Sequence, residues 1–341
     1  MKKGNMLSEI EKRKLQQISI CLNKDVQYRK TTGFEMFELE YNALPDIDYD
    51  DIDLSTEFLG RRFSSPLFIT GMTGGCIIAK KINENVAAAA QHMGIGMGVG
   101  SQRAALEYPE LASTYQVRHV APDILLFGNL GAAQIMQYDV ETIDKAVKMI
   151  KADGLAIHLN AVQESVMRGG DRDWQGVLEK IEEVKRHAKY PVLVKEVGCG
   201  ITSHVAKKLE KAGIDAIDVS GAGGTSWAKA EYYRAGKTGG AFEDFGIPTA
   251  MALQECAKSV SLPLIAAGGI RNGLDVAKAL AMGAALGGFA YPVLKAATES
   301  REAVIKILER FNEDLKTAMF LVGARNVKEL KGKIRRIYPH P

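Results

Sequence analysis

Lys195 ends the apolar run Val192-Leu193-Val194, where an ammonium group costs free energy unless it meets an anion. It fits a structural pair with Glu196 or another acid, a Schiff-base lysine, or a cation beside a cofactor's developing negative charge. His158-Leu159-Asn160 sets two polar side chains on one strand face by the period of two, with Gln163 and Glu164 just beyond. No Ser or Cys nucleophile pairs with this cluster, so acyl transfer has little support. Glu164 suits a Mg2+ ion held mainly by phosphate oxygens and water, because that ion often takes only one or two carboxylates. A helix cap or a solvated face is the plainer alternative for Glu164. Glycine turns at Gly268-Gly269-Ile270-Arg271 and Gly287-Gly288-Phe289-Ala290-Tyr291 could hold a phosphate with backbone N–H groups, or could simply permit close packing. Gly223-Gly224-Thr225 could add a hydroxyl to the same anion. Met72-Thr73-Gly74, Ser101-Gln102-Arg103, Asn129 and Ser220 complete the polar set.

These residues fall at the ends of short apolar or β-branched runs, at 66–71, 94–100, 123–129, 155–160, 191–197, 216–220, 263–268 and 285–289. The runs recur about every 31 residues, the length of one βα unit. Amphipathic helical patterns fill most of the gaps, at 77–92, 140–152, 173–189, 203–212, 249–260 and 274–282. Eight such units are the number that closes a (β/α)8 TIM barrel, whose active site lies at the C-terminal ends of its strands. A doubly wound sheet would open with G-x-G-x-x-G and an acid about 20 residues later. Gly94-Ile95-Gly96-Met97-Gly98-Val99-Gly100 has the wrong spacing and reads as a small-residue strand that something approaches closely. Residues 1–63 read as an N-terminal extension with a charged helix at 8–20, 64–330 as the barrel closed by a helix at 299–319, and 331–341 as a basic tail. The long segment 221–248 exceeds a simple crossover and reads as a functional loop.

Composition sets the remaining bounds. The 341 residues are 46% hydrophobic and 25% charged, which disfavours disorder, and the net charge of +3 is scattered, which leaves nucleic-acid binding unsupported. No apolar run approaches the length of a membrane helix, no signal segment opens the chain, and four separated cysteines form no C-x-x-C. The expectation is a cytoplasmic protein in a reducing compartment.

The ordered strings resemble type II isopentenyl-diphosphate isomerase, the flavin-dependent family, over nearly the whole chain from Arg29 to about Leu330. They are Arg29-Lys30, Asp51-Ile52-Asp53-Leu54-Ser55-Thr56-Glu57-Phe58, Met72-Thr73-Gly74-Gly75, Gly100-Ser101-Gln102-Arg103, His158-Leu159-Asn160-x-x-Gln163-Glu164, Val194-Lys195-Glu196-Val197-Gly198, Ser220-Gly221-x-Gly223-Gly224-Thr225-Ser226-Trp227 and Gly268-Gly269-Ile270-Arg271. The resemblance implies FMN used as an acid/base without net redox change, Mg2+, a reductant such as NADPH, and a homo-oligomer, a tetramer or octamer. By matching position, Met72, Thr73, Gly74, Ser101, Asn129, Lys195, Ser220, Thr225, Gly269, Ile270, Arg271, Ala290 and Tyr291 would contact FMN. Arg29, Lys30, Ser101, Gln102, Arg103, His158, Asn160 and Gln163 would meet the diphosphate substrate, with His158, Asn160, Gln163 and Lys195 as the catalytic set and Glu164 on Mg2+. The family pattern Arg-Lys-x-x-His is read here at Arg29-Lys30-Thr31-Thr32-Gly33, with glycine in place of histidine. Two other readings remain: an FMN oxidoreductase of the hydroxy-acid oxidase type, and a phosphate-ligand-binding barrel without turnover. The oxidase chemistry wants a histidine base, and segment 221–248 contains none.

Overall fold

The computed structural model describes residues 9–337. Its eight central strands are β1 (Leu67–Ile69), β2 (Gly96–Gly98), β3 (Leu126–Gly131), β4 (Gly154–His158), β5 (Val192–Lys195), β6 (Ala216–Asp218), β7 (Leu264–Ala266) and β8 (Leu286–Phe289). All pair in parallel with their sequence neighbours, and β8 returns to β1 through Gly287↔Leu67 and Phe289↔Ile69, so the barrel closes. This is the (β/α)8 barrel that the periodicity predicts. Apart from half-buried His158 at the end of β4, each strand is buried along its length, as expected of parallel strands covered by helices on one side and filled with side chains on the other.

The helices Ile77–Met93, Val140–Met149, Ser203–Lys211, Thr249–Ala257 and Gly273–Ala281 start within a residue of the expected positions. Side-chain caps account for several of these starts: Asp139 accepts from the Thr142 N–H, Thr202 from Val205 and Asn272 from Asp275. The helix expected from residue 173 begins instead at Val177, behind Gly176 in the left-handed region (φ 77°). Between β2 and β3 the crossover is a short helix, Arg103–Glu107, followed by a 3-10 turn, Pro109–Thr114.

The hairpin Thr56–Phe58/Arg61–Phe63 precedes β1 and buries Phe58 and Phe63 edge to face. The Phe63 ring lies against Gly96 at the start of β2, so the hairpin plugs the N-terminal end of the barrel. Residues read as a basic tail form the strand Ile334–Arg336, which pairs antiparallel with Phe37–Leu39 of the extension. The helix Glu9–Asn23 crosses to the opposite end of the barrel and packs on Trp227–Arg234, the helix inside the long segment after β6.

Candidate active site

The pocket opens at the C-terminal ends of the strands, and its floor is set by strand register. Gly131, His158, Lys195 and Asp218 are successive cross-strand partners on β3 to β6, which brings an imidazole, an ammonium and a carboxylate side by side in the barrel interior. His158 Nδ1 lies 2.7 Å from Asn129 Oδ1, so the amide oxygen fixes the proton on Nδ1. Burial, with the Lys195 and Lys14 charges adding to it, pushes the His158 pKa down to about 3, so the ring is neutral across the physiological range. Lys195 Nζ donates to the Glu196 carbonyl at 2.5 Å. Burial lowers its pKa, and the carboxylates of Asp218 and Glu196 oppose that shift. Glu196 is turned away from the pocket, its Oε2 accepting from the N–H groups of Val197, Gly198 and Cys199. Asp218, which the sequence reading did not single out, is fully buried and accepts from both the N–H and the hydroxyl of Ser220.

Beyond β4, Asn160 Nδ2 donates to Gln163 Oε1 (3.2 Å) and Glu164 Oε1 (3.0 Å), while Glu164 Oε2 accepts from the Asp171 N–H. Gln163 Nε2 donates to Glu231 Oε1 at 2.9 Å, so the orientation of its amide is fixed at both ends. Glu231 was not expected from sequence. It is buried at the face of Trp227–Arg234 and also takes hydrogen bonds from Gln17 and Arg234.

On the other side of the pocket the loops after β6, β7 and β8 meet. Gly268 and Gly269 both have positive φ (95° and 79°), and a Cβ on either would overlap Gly221 or Thr32 and Gly223. Only glycine lets the loop after β7 approach the loop after β6 and the extension so closely. Thr225, Gly269, Ile270, Arg271, Ala290 and Tyr291 line this cradle, and the helix Tyr291–Glu299 begins there. The Arg271 guanidinium lies 5.4 Å from the centre of the Tyr291 ring. These loop backbones, a helix N-terminus and one arginine form a donor set for a phosphate. Met72, Thr73, Ser101, Asn129, Lys195 and Ser220 line the space between cradle and floor, and Asn160 Oδ1 is buried there without a partner. The residues present therefore fit a flat, phosphorylated, hydrogen-bonding cofactor such as FMN.

Most of the expected site residues, including His158, Asn160, Gln163, Glu164 and Arg103, line this one cavity. Four do not. Gln102 is completely buried behind it, donating to the Ala146 carbonyl and accepting from the Asn129 N–H, because it caps the helix on which Arg103 turns inward. Gly74 packs against the Tyr115 ring instead. Arg29 is exposed and paired with Asp244 (2.5 Å), and Lys30 Nζ donates to the Gly246 carbonyl, so both clamp the extension to the long loop. Gly33 lies beyond them at a left-handed turn against Pro248.

The cations at the mouth come from the helix Glu9–Asn23. Arg13, Lys14, Gln17, Ile18 and Cys21 line the cavity. Arg13-Lys14-Leu15-Gln16-Gln17 has the spacing of the Arg-Lys-x-x-His pattern, with glutamine at the histidine position. That spacing was the signal available in the sequence. Arg13 Nε is buried without a partner, and burial, followed by the nearby Arg103 charge, lowers its pKa. Burial and the Arg13 charge push Lys14 down to about 8. Crowded cations, one of them with a buried N–H left without a partner, mark a place for an anion.

The FMN-dependent dehydrogenase family matches residues 10–118 and 146–336. The isopentenyl-diphosphate delta-isomerase of Methanothermobacter thermautotrophicus is 50% identical over 94% of this chain and 92% of its own. That of Thermococcus kodakarensis is 50% identical over 94% and 89%. Among solved structures, a flavocytochrome b2 variant with pyruvate bound superposes with a TM-score of 0.70 at 18% identity, covering 95% of this chain and 85% of its own, which shows the shared barrel. With relatives 50% identical over 94% of its length, the chain belongs to the isopentenyl-diphosphate delta-isomerase family, on the fold of the FMN-dependent dehydrogenases.

Proposed function

We propose that this chain interconverts isopentenyl diphosphate and dimethylallyl diphosphate, adding a proton to the terminal methylene and removing one from C2. The observation that carries the reading is the 50% identity with relatives of that name, with His158, Asn160, Gln163 and Glu164 gathered opposite the phosphate cradle. Bound reduced FMN supplies acid/base chemistry at the alkene without net redox change. An ordinary carboxylic acid is poorly matched to an unactivated alkene, and Glu164, the carboxylate in the cavity lining, already accepts from Asn160 and the Asp171 N–H with its two oxygens.

The side chains divide the work. Lys195 would offer a buried positive charge to the cofactor, Ser101, Asn129 and Ser220 would hold its polar edge, and Thr225 would meet its phosphate from the cradle. Neutral His158, Asn160 and Gln163, held in place by hydrogen bonds to protein partners, face the hydrocarbon end of the substrate without bringing a charge to it. Trp227 and Met167 wall that end and help exclude water. Arg13, Lys14 and Arg103 neutralise the diphosphate, a role the sequence pattern placed at Arg29 and Lys30. Among the described residues no cluster of three or more His, Cys, Asp or Glu side chains could hold a metal by itself. A Mg2+ at Glu164 would therefore complete its shell with diphosphate oxygens and water, which is how that ion usually binds. NADPH as reductant, a cytoplasmic location and a tetramer or octamer belong to the same reading. No helix among the described residues is long and apolar enough to cross a membrane.

Anaerobic proton NMR of isopentenyl diphosphate with protein, FMN, Mg2+ and dithionite tests the proposal. Methyl signals of dimethylallyl diphosphate that require both protein and reduced flavin support it. Unchanged substrate in the presence of flavin-loaded protein would overturn it and favour an oxidoreductase.

A further inference from the structure

The N-terminal extension does more at the cradle than pass over it. Residues 26–28 run alongside the loop after β6: Ser226 N–H donates to the Val26 carbonyl, Tyr28 N–H to the Gly224 carbonyl, and Gln27 forms an isolated bridge with Thr225. Thr31 and Thr32 press against Gly223 and Gly269 so closely that neither glycine has room for a Cβ. The extension thus adds a wall from outside the barrel to the turns that the phosphate reading requires.

Gln27 is the polar side chain of this wall that reaches the cradle's arginine. Its main chain is anchored on both sides, the N–H donating to Asp25 Oδ1 and the carbonyl accepting from Lys229 Nζ, which also pairs with Asp25. Its Oε1 accepts from Arg271 Nη2. A guanidinium can only donate, so the amide cannot be reversed, and Nε2 must be the opposite end. Nε2 is buried and has no partner. Arg271 is therefore held between the Gln27 amide and the Tyr291 ring, with an unused N–H donor fixed beside it.

We infer that Gln27 is a phosphate-recognition residue: it orients Arg271 through Oε1 and donates from Nε2 to a terminal phosphate monoester seated in the cradle. The inference rests on the reading of the cradle as the FMN phosphate site and adds to it a residue from outside the barrel. A buried N–H donor with no partner is costly, and a phosphate oxygen is the acceptor that the neighbouring arginine and glycine turns would bring to it.

The test is the pair FMN and riboflavin, which differ only by the phosphate. Binding of each to the flavin-free full chain is followed by quenching of flavin fluorescence, and the ratio of the two dissociation constants isolates the phosphate end. Gln27→Met removes acceptor and donor at similar volume, and should cut the wild-type preference for FMN about tenfold while riboflavin binding stays within about twofold. Gln27→Glu keeps an acceptor for Arg271 but sets a carboxylate beside the phosphate, and should cut the preference further, by about a hundredfold. Riboflavin binding reports that each variant is folded at the pocket. A ratio equal to wild type in both variants would overturn the inference, as would equal weakening of the two ligands. If the wild-type chain binds neither flavin, the cofactor reading itself falls and takes this inference with it.

Discussion

Two Arg-Lys pairs lie sixteen residues apart in the N-terminal extension, and they have opposite fates. Arg13-Lys14 sits on a helix whose inward face closes the pocket, where burial strips away water and leaves Arg13 Nε without a hydrogen-bond partner, although the Glu231 and Glu164 charges lie near enough to be felt. Arg29-Lys30 sits on an extended segment whose side chains turn outward, one to the Asp244 carboxylate and the other to a backbone carbonyl. The first pair is held ready for an anion, and the second is already satisfied. The letters are the same in both places, so the difference lies in the partners that the tertiary structure supplies.

The strongest way to break this contrast is charge reversal. Arg13→Glu/Lys14→Glu should raise KM for the diphosphate by about a thousandfold or more, two charge-assisted contacts being lost and two repulsions gained, with FMN affinity little changed. Steady-state kinetics and flavin titration on the same preparation check both halves. The pH dependence of kcat/KM comes next. A lysine with a pKa of about 8 is charged below that pH and neutral above it, so kcat/KM should fall about tenfold per unit above pH 8. Lys14→Arg should move that limb to higher pH, since arginine stays charged.

Gln17 sharpens the contrast within its own helix, since it reaches Gln163 only through Glu231. Gln17→Leu should lower kcat about three- to tenfold and leave FMN binding intact, measured by the same assay. The smallest effect is expected at the outward pair. Arg29→Ala removes an exposed ion pair and should change KM by no more than about twofold.

The barrel was legible because each strand is an apolar run ending in glycine or a polar residue, a signal that depends on local sequence alone. The cradle was legible for the same reason, since the glycine pair Gly268-Gly269 after an apolar run marks a turn by itself. The placement of the N-terminal helix over the pocket was not legible. The helix Glu9–Asn23 reads as one more charged helix, and its docking on Trp227–Arg234 joins residues more than 200 positions apart. Gln102 shows the limit at close range: it sits between two pocket residues, Ser101 and Arg103, yet the helix start turns it behind the wall. Asp218 and Glu231 were missed because burial of a carboxylate depends on which strand or helix faces it across the fold.

The measurement that tests the account most directly is KM for isopentenyl diphosphate in Lys14→Ala and Lys30→Ala, assayed side by side with reduced FMN and Mg2+. The account predicts a rise of about ten- to a hundredfold for Lys14→Ala and none beyond about twofold for Lys30→Ala. A large rise for Lys30→Ala with an unchanged Lys14→Ala would contradict it and return the diphosphate to the outward pair.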